Sequence, residues 1–93
     1  MRSYELTTIF PVEEDLYRQG KEAVSAELKR QGGDIVKEDE LGERQLAYPI
    51  KNKPRGRYVL YTVKLAPDKL IAAEKVFKLN TNVVKYLFVR MDE

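Results

Sequence analysis

The stretch Gly42-Glu43-Arg44-Gln45-Leu46-Ala47-Tyr48-Pro49-Ile50-Lys51 splits into two halves with different physics. In the first half Arg44, Leu46 and Tyr48 share one parity and Glu43, Gln45 and Ala47 the other, the two-residue period of a strand with one face to bury. Pro49 then lacks the N–H that a ladder needs and biases Tyr48 toward extended geometry, so the strand is expected to end there, at the mouth of a loop. Lys51, Lys53, Arg55 and Arg57 follow without one acidic residue between them, a concentrated positive field in a chain whose net charge is only +2. Gly56 permits a turn, and Tyr58 to Leu65 returns as a β-branched and aromatic strand. The unit reads as a β-hairpin with a basic tip.

Working outward, the run from Ile35 to Leu41 is also strand-like but carries Lys37, Glu38, Asp39 and Glu40, the charge load of an edge strand. It is expected to join the hairpin through a bulge or kink at Gly42. Tyr4 to Phe10 predicts a first strand whose buried parity stays open, because Tyr4 and Ile9 lie on opposite sets. Pro11 stops it. Glu13, Glu14 and Asp15 then suit the positive end of a helix, Lys29 and Arg30 its negative end, and Gly32-Gly33 its stop. The stripe of that helix is Leu16, Gly20, Ala23, Val24 and Leu28, with Gly20 a candidate for close packing. Downstream, Ala66-Pro67-Asp68 opens a second helix with Leu70, Ala73 and Phe77 inward, and Asn80-Thr81-Asn82 closes it. Val83 to Met91 is the last strand.

The order is strand, helix, strand, strand, helix, strand, a split βαβ arrangement: an α+β fold of one four-stranded antiparallel sheet with two helices on one face. That leaves a sheet face bare. Val59, Tyr61, Val63 and Leu65 form one apolar set on the third strand, yet Tyr58 and Leu60 form a second. The last strand repeats this, with Val84, Tyr86 and Phe88 against Val83, Leu87 and Val89. Two helices cover one face, so the spare set is expected to meet a partner.

Composition bounds the chemistry. The 93 residues are expected to form one domain, 1–93, with one small core. With 43% hydrophobic and 34% charged residues and no apolar run of spanning length, the chain reads as soluble and cytoplasmic, with no leader and no membrane segment. It has no cysteine and no histidine, which removes thiol chemistry, disulfides and the commonest general base and metal ligand. Glu38, Asp39 and Glu40 alternate faces in a strand and do not converge on a metal. No enzyme activity, cofactor, metal or small-molecule substrate is expected. An acyl-phosphate hydrolase on such a fold would need an anion-binding glycine loop leading into a helix, and none is present.

Two binding readings remain at the level of the residues. Arg55-Gly56-Arg57-Tyr58-Val59-Leu60-Tyr61 sits where RNA-recognition-motif domains carry their stacking motif, which suggests a free-standing module binding single-stranded RNA on Tyr58 and Tyr61. Arg57, Tyr58 and Val59 depart from that motif, however, Val59 replacing its central aromatic. The other reading is a module that works with a protein partner.

The decamer Gly42 to Lys51, with its Gly-x-Arg-x-Leu-Ala-Tyr-x-Ile-Lys pattern, resembles the signature of the bacterial small-subunit ribosomal protein S six family. The opening Met-Arg-x-Tyr-Glu, the Gly-x-Tyr before the third strand, the Ala-Pro-Asp helix entry and the Asn-Val before the last strand extend the resemblance over nearly the whole chain. It implies a ferredoxin-like βαββαβ fold and a structural, non-catalytic role in translation. It further implies binding to the central domain of small-subunit ribosomal RNA together with ribosomal protein S eighteen, as a heterodimer. Arg2 and Lys51, which match family-like positions, and Lys53, Arg55, Arg57, Lys85 and Arg90, which rest on charge and expected placement, are candidates for RNA contact. Glu38, Asp39, Glu40, Leu41, Gly42, Arg44 and Gln45 form the candidate acidic edge toward a basic partner, and Tyr58, Leu60 and Leu87 the dry contact. Many family members continue beyond the position of Glu93, so contacts made by such a tail are not expected here.

Overall fold

Val59, Tyr61, Val63 and Leu65 are completely buried, whereas Tyr58 before them and Leu60, Thr62 and Lys64 between them are not. This one alternation sets the two faces of the sheet. The computed structural model describes residues 2–50 and 53–91, and Lys51 lies outside them. The elements are β1 (Arg2–Phe10), α1 (Glu14–Arg30), β2 (Asp34–Ile50), β3 (Lys53–Leu65), α2 (Pro67–Leu79) and β4 (Lys85–Arg90). The strands form one antiparallel sheet in the order β2-β3-β1-β4. Tyr17, Val24 and Leu28 of α1 and Ala73 and Phe77 of α2 join the buried β3 set and Tyr4, Leu6 and Phe10 of β1 in one core. Both helices therefore cover the same face, as expected for this ferredoxin-like α+β fold.

The parity of β1 is now settled: Tyr4, Leu6, Thr8 and Phe10 point to the helices, and Ile9 points to the open face. Thr8 is tolerated in the core because its hydroxyl donates to the Val59 carbonyl at 2.9 Å. Gly20 does mark close packing, since a Cβ there would lie 2.5 Å from Phe10 Cδ1 and 2.7 Å from the Asn82 carbonyl. The stripe of α1 shifts from the expected one: Tyr17 is buried, while Leu16 and Ala23 are half-buried. The helix ends as its glycines require. Gly32 adopts φ 80°, its N–H donates to the Lys29 carbonyl at 2.9 Å and the Gly33 N–H to the Leu28 carbonyl at 2.8 Å, the paired bonds of a Schellman stop.

The bulge expected at Gly42 is present: β2 is one 17-residue strand in which Gly42, at φ 89°, follows the unpaired Leu41, and Val36 is a second extra residue. Two expectations are revised. Pro49 interrupts pairing between Gln45 and Ile50, but Ile50 pairs again with Lys53, so β3 begins within the stretch expected to be a loop. Val83 joins the helix-side core and Val84 the open-face cluster, the reverse of the alternation assumed from Val83 onward. These two residues precede β4, in the turn after α2, where the pleat does not yet apply.

Candidate partner and nucleic-acid interface

The open face is built from ladder rows running across the sheet. One row places Gly42, Tyr58, Ile9 and Lys85 side by side, the next Asp39, Leu60, Thr7 and Leu87, and a third Lys37, Thr62, Glu5 and Val89. Ile9, Leu46 and Val84 form a small second core here, with Tyr58 packed against it. Gly56 makes room for it, since a Cβ at that position would meet Ile9 Cγ2 at 2.3 Å. Beyond it Leu87 is 56% and Val89 48% exposed. Tyr58, Leu60 and Leu87, singled out from sequence, thus share one face. Arg44 lies on it as well, its guanidinium 6.0 Å from the Tyr58 ring centroid. Leu41 is exposed, at the bulge on the β2 edge. Val89 extends that surface, while Ile9, Leu46 and Val84 are buried beneath it. Val89 was legible from its shared parity with Leu87, whereas Ile9 and Leu46 depended on pairing.

The acidic edge divides. Asp39 faces the open side with Leu60, but Glu38 and Glu40 turn to the helices, where Lys21 Nζ meets them at 3.4 Å and 2.8 Å. The Tyr17 hydroxyl also donates to Glu40. Hydrogen bonds from Lys21 and Tyr17, then the Lys21 charge, hold the Glu40 carboxyl below its ordinary value. Burial, then the bond to Glu40, pushes the Tyr17 phenol up. Gln45 and Glu43 lie on the helix-side parity opposite Arg55 and Arg57.

The basic tip is also less free than its sequence suggested. Arg55 is ion-paired with Glu43 across the hairpin. Arg57 is on the helix face; its Nη1 meets Glu14 at 2.6 Å and its guanidinium lies 3.4 Å from the Tyr17 ring centroid. The run lacks acids along the chain, but the facing strand and α1 supply them. Arg57 is accordingly a cation that ties α1 to the sheet. Arg2, Lys53, Lys85 and Arg90 make no ion pair among the described residues. They occupy opposite ends of the sheet: Arg90 pairs with Tyr4, next to Arg2, while Lys85 pairs with Ile9 at the end where β3 begins. At roughly 3.3 Å per residue those ends are about 25 Å apart along β1, so the four do not serve one phosphate.

Tyr61 is completely buried on the helix face and does not join Tyr58 as a stacking platform. They are three positions apart along β3, an odd step, so their side chains point oppositely. Burial, chiefly, pushes the Tyr61 phenol well above its ordinary value. Among the described residues no helix is long and apolar enough to cross a membrane.

An antiparallel sheet with both helices on one side, an apolar patch on the other and cations at both ends is the build of an α+β assembly module. The sequence profile of the family described as Ribosomal protein S6 matches residues 3–90. The chain is 50% identical over its 93 residues to the small ribosomal subunit protein bS6 of Treponema denticola, covering all of both chains. It is 44% identical to that of Treponema pallidum over 92 residues, 99% of each chain. The crystal structure of 30S ribosomal protein S6 from Thermotoga maritima superimposes with a TM-score of 0.84 at 26% identity, covering 97% of this chain and 87% of that one. The chain belongs to the ribosomal protein S6 family, a family of small-subunit structural proteins and not of enzymes.

Proposed function

We propose that this protein binds the central domain of small-subunit ribosomal RNA jointly with ribosomal protein S eighteen, as a structural part of the bacterial cytoplasmic ribosome. The observation that carries the reading is the open face, where exposed Leu87 and Val89 continue the cluster of Ile9, Leu46, Val84 and Tyr58. A contiguous apolar patch on a bare sheet face is stabilised by a cover. Tyr58, Leu60 and Leu87 supply its dry centre, with exposed Leu41 at the β2 edge and Asp39, Gly42 and Arg44 as its rim on that side, while Gln45 stands on the opposite face of β2. Glu38 and Glu40 support that rim from behind through Lys21. Arg2, Lys53, Lys85 and Arg90, with Lys51 and Arg55 at the hairpin, meet phosphates, because flexible cations neutralise backbone charge without reading bases. Joining two basic surfaces on one RNA fold then makes binding strongly salt-dependent.

The test is the affinity for a central-domain RNA fragment, with and without S eighteen, at two salt concentrations. Tight binding is expected only with the partner present. Equal affinity without it, extending to unstructured RNA, would mean that the sheet reads RNA alone. Lys53→Ala is expected to reduce the slope of log affinity against log salt by about one.

A further inference from the structure

At the β4 edge of the sheet, the last turn of α2 and the first residues of β4 enclose a groove of about 380 Å³. Phe77, Val83, Val84 and Tyr86 line it, and Lys78 and Lys85 stand with them. Tyr86 is the half-buried member of the lining and is held edge-on to Phe77, 5.8 Å between centroids at 62°. Both lysines are exposed, no carboxylate lines the groove, and neither lysine is ion-paired among the described residues.

An aromatic and aliphatic floor between two unmatched cations has the chemistry of a nucleotide site: a base has a flat face for the ring, and its flanking phosphates have charge for the lysines. An acidic peptide would satisfy the lysines but not use the ring face as fully. We propose that this groove receives one unstacked nucleotide of the ribosomal RNA, its base against Tyr86 and the adjoining phosphates on Lys78 and Lys85. The assignment rests on the function proposed above and adds Lys78 and Tyr86 to it.

The experiment uses the full chain with S eighteen and a central-domain RNA fragment, and measures affinity at two salt concentrations for Lys78→Ala, Lys85→Ala and Tyr86→Leu. Each lysine variant is expected to reduce the salt slope by about one. Tyr86→Leu is expected to weaken binding about 5- to 100-fold at unchanged slope. Lys75→Ala, on the same helix outside the groove, is expected to bind as the parent. Because Tyr86→Leu disturbs the contact with Phe77, ultraviolet cross-linking of the unaltered complex supplies an independent readout, with RNA expected on Tyr86. Parent-like binding of Lys78→Ala together with no cross-link at Tyr86 would overturn the groove while the joint-binding function stands. Failure of the parent to bind the RNA even with S eighteen would overturn both. Loss of S eighteen by the groove variants in the absence of RNA would make the occupant a protein and likewise overturn the assignment.

Discussion

Gly20 carries a conflict that a single substitution exposes. Alanine in its place gains about 1 kcal/mol of helix propensity. The added Cβ, however, would sit 2.5 Å from Phe10 Cδ1 and 2.7 Å from the Asn82 carbonyl, and the latter is backbone. Overpacking of this kind costs about 1–3 kcal/mol, so Gly20→Ala is expected to lower the urea midpoint at unchanged slope. A higher midpoint would show that Phe10 yields freely. Arg57→Ala is expected to destabilise by about 1–2 kcal/mol through its stacking on Tyr17 and to leave the salt slope of RNA binding unchanged. A lowered slope would return Arg57 to the RNA surface. Glu27 offers a pH test. Burial pushes its carboxyl up, but hydrogen bonds from Arg30 at 2.9 Å and Gln31 at 2.7 Å outweigh this and leave it below its ordinary value. A depressed folded-state value means that its stabilisation is full above the unfolded value of 4.5 and is lost as pH falls through the folded one. Acid titration of stability should therefore be shallower below pH 4.5 in Glu27→Gln, and identical slopes would exclude Glu27 as a contributor.

At the scale of elements, the β2–β3 hairpin shows what local pattern reveals and what it misses. Gly42 was legible as a kink because a glycine interrupts a charged strand, and its φ of 89° with no atom near a Cβ makes the constraint conformational. Gly42→Ala is expected to cost about 1–2 kcal/mol in thermal or urea unfolding, without any clash. A neutral result would mean that the bulge relaxes. The early start of β3 was not legible, because Pro54 and Gly56 read locally as loop, yet tertiary pairing with β2 overrides both. The stripe of α1 was misjudged by one position for a similar reason: Tyr17 has the 3.6-residue spacing with Gly20, Val24 and Leu28, but its burial depends on Arg57 and Glu40 arriving from the sheet.

For the whole molecule, the open face separates stability from assembly. Leu87 and Val89 contribute little to the fold in isolation, since each is about half exposed. Leu87→Ser with Val89→Ser is expected to leave unfolding of the isolated chain within about 1 kcal/mol of the parent, while strongly reducing capture of S eighteen in a pull-down or calorimetric titration. Retained capture would move the partner away from this face. The patch was anticipated because two helices cannot cover two faces, an argument about element count that needs no coordinates.

The sequence by itself determined the order of elements, the helix stops, the two apolar parities of β3 and the family resemblance of the decamer, because each rests on spacing within a few residues. Only the tertiary structure decided which charges remain free. Arg57 and Glu14 are 43 positions apart and Tyr17 and Glu40 are 23 apart, so no local pattern brings them together. Packing α1 on the sheet does so, while among the described residues Arg2, Lys53, Lys85 and Arg90 at the sheet's two ends make no ion pair.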